Sequence, residues 1–458
     1  MMFKKIRERN FHFLLLAFLT GLFIGIHFSS SARATEPAHR YLDYFHQVYQ
    51  LVRTEYVDVP DTKGLFYGAI RGMLGALDDP FSRFLDERDY SDLKEMTTGK
   101  FVGVGVEITV RDGSIVVITP LDDSPAMQAG IMAGDIISKV DGKPIKDKSL
   151  SDIVKMIKGV PGTVVKMDIK REGHEELISF EVKRASIKIK SVEYTIIEKA
   201  GTGYLKIKNF GSDTSGDVSK ALAFFNEKGI DRLIIDLRYN PGGLLSSSIE
   251  ISDLFLGKDK VIVSTRGRKG NGDEKVYRST GDPLYTGKLV LLVNRGSASA
   301  SEILSGAIRD NRRGVLVGEK TFGKGSVQKS YNLDRDVGVA ITIARYYTPS
   351  GELIHKKGIK PDKKVEPDRF SESDHKKMRE IESRKLLDSF VKRGMVYNEE
   401  TRKGFHEFLG KHKLQLSEKA EHFMLKRRLY RYRKRPLYDM EFDSQLSAAV
   451  EDLDRKNK

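Results

Sequence analysis

Residues 289–310 read LVLLVNRGSASASEILSGAIRD. The first five, Leu289 to Val293, are apolar without interruption, as in a strand buried on both faces. Asn294-Arg295-Gly296 then carries turn chemistry. Beyond Ser299 the apolar positions Ile303, Leu304, Ala307 and Ile308 recur at helical spacing. A buried strand that runs through a tight turn into a helix is one step of an α/β sheet, and the flanking sequence repeats that step. RLIIDLR (232–238) reads as a second buried strand, PGGLLSSSIEISDLFL (241–256) as the helix after it, and GVLVGE (314–319) as a further strand. This alternation, from about residue 200 onward, predicts an α/β core.

The same stretch poses a chemical question. Ser299 and Glu302 fit the capping box, in which a serine at the helix N-cap and a glutamate three residues on satisfy each other's backbone donors. A helix N-terminus, with its free N–H groups and positive dipole end, equally suits a serine nucleophile and the oxyanion it generates. Position alone leaves both readings open. The pattern is not the G-x-S-x-G elbow, because Ser297 and Ser301 stand two residues before and after Ser299.

Upstream of the core the texture differs. Residues 35–98 read as helical, with YLDYFHQVYQLV and GLFYGAIRGMLGAL carrying apolar residues at helical spacing. Residues 99–184 are short β runs split by glycine (FVGVGVEITV, SIVVITP, DIISKVDGKPI, VVKMDIKREG, LISFEVKR) and interrupted by one helical piece, SLSDIVKMIKG. Residues 185–367 hold the α/β core, and residues 368–458 form a charged, basic, helical extension. At the N-terminus a basic MMFKKIRER precedes the apolar FLLLAFLTGLFIGI (13–26) and then Ala32-x-Ala34. That order predicts a secretory signal cut after Ala34, and so export to the bacterial periplasm or cell envelope; left uncut, it would be a single membrane anchor.

With 31% charged and 39% hydrophobic residues, the 458-residue chain has the composition of a folded protein rather than a disordered one. Its net charge of +15 reads as a lysine-rich surface; no nucleic-acid motif accompanies it, and nucleic acid is not an expected partner. The complete lack of cysteine excludes a thiol nucleophile, disulfides, thiolate metal sites and a lipidated N-terminal cysteine.

A serine nucleophile needs a base. Between residues 100 and 370 the only histidines are His174 and His355, neither in a motif that supports a Ser-His-Asp triad. The stronger candidate is Lys324, flanked by Gly323 and Gly325, whose small size permits close approach of other groups. Gly318 to Lys324 also spells most of a phosphate-binding P-loop. The residue after the lysine should then be serine or threonine opening a helix; it is Gly325, followed by strand-like alternation.

Taken together, GSASASEI, VGEKTFGKGSVQ, DLRYNPGG and FVGVGVEI…SPAMQAGIMAGDIISKVDG resemble the C-terminal processing (tail-specific) serine peptidase family, in family order over roughly residues 40–365. The resemblance implies a crotonase-like ββα peptidase core with an inserted PDZ β-domain and helical ends, an α/β (α+β multidomain) protein. It implies Ser299 as nucleophile, Lys324 as general base and Gln328 as the residue orienting the lysine. The oxyanion hole would come from Gly242, Gly243 and the N–H of Ala300, with the contributing glycine left open. The loop Gly103, Val104, Gly105 and Val106 would receive a peptide's terminal carboxylate as the peptide adds as a strand. The implied partners are C-terminal ends of unfolded or tagged proteins. Self-association through the helical termini and an adaptor protein are further expectations, and no metal or nucleotide cofactor is expected. The alternative reading is a catalytically silent PDZ scaffold.

The chemistry constrains these assignments. A lysine base must be neutral, so its pKa has to fall from about 10.4 to about 7–8, roughly 4 kcal/mol of differential stabilisation that burial can supply. Gln328, four residues on in an extended segment, faces the same side and can accept from the amine without adding charge. Asp310 lies eleven residues beyond Ser299, about 16 Å along a straight helix, and reads as a helix-end residue.

Overall fold

A computed structural model describes residues 38–111, 113–268, 274–392, 394–430 and 436–455. The predicted signal segment lies outside the described residues. The chain divides into two compact units, Met1–Ala76 and Leu77–Lys458. In the first, helices α1 (Ala38–Glu55) and α2 (Thr62–Gly75) bring the Phe45 and Tyr49 rings to 6.1 and 5.0 Å from that of Phe66, and Asp61 caps α2. Among the described residues no helix is long and apolar enough to cross a membrane.

The second unit opens with β1 (Arg83–Leu85) and α3 (Glu87–Thr98). Strands β2 (Lys100–Gly103) and β9 (Ala185–Lys188) pair antiparallel as the stem of an inserted β-domain. The insert contains β3 (Val106–Arg111), β4 (Ser114–Pro120), β5 (Ile136–Val140), β6 (Lys143–Pro144), β7 (Val164–Lys170) and β8 (Ile178–Lys183), in the order β3-β4-β5-β7-β8 with β6 on β5. Helices α4 (Pro125–Gln128) and α5 (Leu150–Ile157) close a core that includes Val117, Ile137, Ile153, Val165 and Met167. Alternation does this: Val165, Met167 and Ile169 of β7 point inward, and the residues between them are exposed or only partly buried.

The α/β core follows. Strands β10 (Val192–Ile197), β11 (Thr202–Ile207), β12 (Arg232–Asp236), β15 (Lys288–Val293), β16 (Val315–Gly318) and β19 (Lys363–Lys364) form one sheet in that order, parallel from β11 onward. On one face, Leu233, Ile235, Leu291 and Val293 pack against α6 (Thr214–Glu227), α7 (Leu245–Asp253) and α8 (Ala300–Asp310). On the other, Ile234, Val290 and Leu292 pack against Leu446, Ala449 and Leu453 of the last helix, α13 (Ser444–Asp454). Each fully buried aliphatic side chain contributes about 1.5–3 kcal/mol, so neither helical layer is dispensable.

The basic stretch expected as one extension from residue 368 is thus divided. Helices α9 (Glu372–Ser383), α10 (Leu386–Phe390), α11 (Glu399–Lys411) and α12 (Glu418–Leu429) share a core of their own around Ile381, Phe405 and Leu425. α13 instead belongs to the central sheet, because a parallel sheet needs both faces covered. A partly buried charge cluster fastens it: Arg238, just past β12, contacts Asp236 and Asp443 at 2.7 Å each.

A second sheet runs β1-β18-β13-β14, with β17 (Ser326–Asp334) also pairing β18 (Val337–Tyr347); β13 is Val261–Gly267 and β14 Lys275–Arg278. In the central sheet, Asp236 lies level with Leu292, and Val293 with Gly318. The loops that leave β12, β15 and β16 therefore emerge side by side at the C-terminal edge, where open α/β sheets bind ligands.

Candidate active site

The loop after β15 sorts its serines. The Ser297 hydroxyl donates to the Leu237 carbonyl (2.8 Å) and accepts from the Asn294 N–H (3.0 Å). That of Ser301 donates to the Asn240 carbonyl (3.0 Å), which also accepts the Ala298 N–H. Both serines are fully buried and stitch this loop to the one after β12. Ser299, 8% exposed, stands at the helix entry with φ 55° and ψ −112°. An N-cap residue normally sits in the β region, whereas this left-handed backbone is strained for a residue bearing a side chain. Such strain collects at functional positions.

Glu302 makes the returning half of the capping box, its Oε2 accepting the Ser299 N–H at 2.9 Å. It does much more. Oε2 also accepts the Lys324 N–H (2.8 Å), and Oε1 accepts the Gly323 N–H (2.7 Å) and the Thr321 hydroxyl (2.6 Å). One carboxylate with no solvent exposure thus ties the serine's backbone to the lysine's, within two hydrogen-bond lengths. Burial pushes this carboxyl upward, and the four donors pull against that.

Lys324 is half-buried, and its amine is held below the ordinary lysine range, first by burial and then by the charge of Arg83, with Glu302 opposing. The flanking glycines are required by contact: a Cβ on Gly325 would lie 2.2 Å from the His355 nitrogen, and one on Gly323, at φ 94°, 3.0 Å from that of Gly358. The lysine Nζ stands 5.1 Å from the centroid of the Phe81 ring. Among the described residues no hydrogen bond joins the Ser299 hydroxyl to this amine, nor Gln328 to it. Gln328 Nε2 donates to the hydroxyls of Ser326 (2.8 Å) and Thr342 (3.2 Å), which leaves its Oε1 as the unused end.

The two glycines of the β12 loop differ. Gly242 donates its N–H to Asn240 Oδ1 at 2.8 Å. Its role is steric: at φ 101°, a Cβ there would lie 2.7 Å from the Ser299 Cβ and 2.9 Å from the Ala300 nitrogen. Among the described residues, the N–H groups of Gly243 and of Ala300, the first residue of α8, have no protein acceptor. Asp310 accepts from the Ser350 N–H (3.0 Å) and from Arg309 (2.8 Å) at the far end of α8, as its spacing predicts.

In the β-domain, Gly103 ends β2 and Val106 begins β3. Val104 is a core residue, 1% exposed. Gly105 sits at φ 78°, where a Cβ would lie 2.4 Å from that of Ser124. The carbonyls of Val104 and Gly105 accept from Ala126 and Leu121, and among the described residues their N–H groups have no acceptor. Among the described residues β3 pairs only with β4, which leaves its outer edge open.

The sequence presents Glu302 as a capping residue and gives no sign of its reach to Lys324. Phe81 carries no motif of its own.

A serine at the strained entry of a helix, with unpaired backbone N–H groups and a half-buried lysine, is the arrangement of a serine hydrolase. The sequence profile of Peptidase family S41 matches residues 201–365, that of the PDZ domain residues 116–171, and that of the activating protease CtpB N-terminal domain residues 26–89. The carboxy-terminal-processing protease of Bartonella bacilliformis is 39% identical over 353 residues, 76% of this chain and 80% of that protein. CtpA of Bacillus subtilis, a carboxy-terminal processing protease, is 36% identical over 324 residues, 71% of this chain and 69% of that one. Among solved structures, the photosystem II D1 C-terminal processing protease is 33% identical, with 72% of this chain and 88% of that one covered and a TM-score of 0.43. The chain belongs to peptidase family S41, the carboxy-terminal-processing proteases, and is a serine peptidase with a PDZ domain.

Proposed function

We propose that this peptidase is an exported endopeptidase that captures the C-terminal ends of unfolded proteins and cleaves them with a Ser299–Lys324 dyad. The observation that carries the dyad is the Glu302 carboxylate, which accepts the backbone N–H of both residues. In the reaction, the neutral Lys324 amine takes the Ser299 hydroxyl proton as Oγ attacks the scissile carbonyl. The tetrahedral oxyanion is received by the N–H groups of Gly243 and Ala300. The lysine then delivers its proton to the leaving amine, and the acyl-enzyme forms. Water, deprotonated by the same lysine, hydrolyses the ester. Gln328 Oε1 accepts from the amine and aims it. Hydroxyl and amine close to bonding distance in the substrate complex, since catalytic hydrogen bonds are commonly long before substrate binds.

The residue 99–184 block supplies selection. A terminal carboxylate accepts from the free N–H groups of Val104 and Gly105, flanked by Gly103 and Val106, and the substrate's last residues add to the open edge of β3. The test is degradation of a permanently unfolded protein by the full chain and its serine variants. Ser299→Ala loses nearly all hydrolysis. Ser297→Ala and Ser301→Ala keep most of it, at a stability cost of about 1–3 kcal/mol for the buried partners left behind. A dead Ser301→Ala beside an active Ser299→Ala would refute the assignment.

A further inference from the structure

The stretch DDPFSRFL (78–85) precedes the β-domain and contains no group of the proposed chemistry. It is nonetheless fastened to the site. Asp79 accepts the Phe81 N–H (3.1 Å) and the Ser82 hydroxyl (2.6 Å). Ser82, 6% exposed, accepts in turn the N–H of Thr342 at 3.0 Å. The Thr342 hydroxyl accepts from Gln328, and Arg83 of β1 lies opposite Ala340 of β18. These bonds hold Phe81 with its ring centroid 5.1 Å from Lys324 Nζ and 6.3 Å from the His355 ring, which it meets edge-on.

We propose that Phe81 is a positioning residue for the general base: its ring, fixed by the Asp79–Ser82–Thr342 bonds, covers the Lys324 amine and keeps water from it. The inference rests on the reading of Lys324 as that base. A ring at this distance acts in two opposed ways. Its quadrupole favours the ammonium by about 0.5–2 kcal/mol. Its bulk excludes water, which disfavours the ammonium. Exclusion acts in the direction in which burial, the first cause, moves the amine below the ordinary lysine range. The charges facing the amine are Arg83 from β1, which acts in the same direction, and Glu302 from α8, which opposes it. Behind the ring stand Asp79, its carboxyl held low, and His355, pushed toward its neutral form by burial and by Arg345 and Lys356. Among the described residues the buried His355 Nδ1 has no partner.

The test is the pH profile of kcat/KM for the full chain. Phe81→Ala exposes the amine and moves the acid limb up by about one pH unit, so that activity below the limb falls about tenfold and converges with the wild type at high pH. Phe81→Leu restores apolar cover and keeps the wild-type limb. Asp79→Asn, which loosens the loop without removing the ring, moves the limb the same way by less, and serves if Phe81→Ala does not fold. An unmoved limb in Phe81→Ala overturns the inference, as does faster cleavage at every pH, which would make the ring a brake. Lys324→Ala separates the two layers. If it stays active, the base assignment itself fails; if it is dead while the Phe81→Ala limb is unmoved, only the role of Phe81 fails.

Discussion

Replacing Glu302 by glutamine changes one oxygen to an amide nitrogen and tests the junction of the site. The carboxylate accepts four donors, two on each oxygen: Ser299 and Lys324 N–H on Oε2, Gly323 N–H and the Thr321 hydroxyl on Oε1. With the amide nitrogen on the Oε2 side, the Ser299 and Lys324 backbones both lose their acceptor and face a donor. With it on the Oε1 side, the Thr321 hydroxyl can turn, since it already accepts the Ile359 N–H at 2.7 Å, but Gly323 is stranded beside Lys324. A buried donor without a partner costs about 1–3 kcal/mol. The expected loss is therefore about 2–4 kcal/mol of stability, read from denaturant unfolding, together with a fall in kcat of at least about tenfold. The pH profile separates this from general damage. The Glu302 charge raises the Lys324 pKa, so its removal must move the residual activity's acid limb to lower pH. Unchanged unfolding with kcat/KM within about twofold of wild type would refute the junction; a limb moving upward would refute the electrostatics.

Three further outcomes follow. Lys324→Arg should be as inactive as Lys324→Ala in unfolded-protein degradation, because arginine keeps the charge and cannot release its proton. Wild-type activity should fall as pH drops through the lowered lysine pKa, where the base becomes protonated; substantial activity of the arginine variant would remove the lysine from the chemistry. One unfolded substrate made with a free-acid and with a carboxamide ending should be cleaved faster as the acid when binding limits the rate, since charge-assisted hydrogen bonds are about twice as strong as neutral ones. Equal rates would turn the block around Gly103–Val106 from a substrate reader into a spacer.

Local pattern was enough for much of this molecule. An apolar run, a turn and a helical repeat place β15 and α8 without reference to anything else, and the alternating runs around Val165 and Met167 do the same for the β-domain. Residue types at motif positions also single out Ser299 and Lys324, because few side chains can attack a carbonyl or give up a proton at neutral pH. The tertiary structure decided what depends on approach between distant segments. Gly242 and Gly243 are equivalent as text, and only the bond from Gly242 to Asn240 separates them. Glu302 satisfies a capping box within its own helix, and its bonds to Gly323 and Lys324 exist only because β15 and β16 run side by side. Phe81 lies 243 positions before Lys324 in the sequence (324 − 81) and reaches it through the pairing of β1 with β18. α13 reads as part of a solvated basic tail, yet it covers the second face of the sheet, because a parallel sheet leaves two apolar faces and the chain has to supply a layer for each. Spacing along a chain carries the period of an element, not the identity of the surface it will meet.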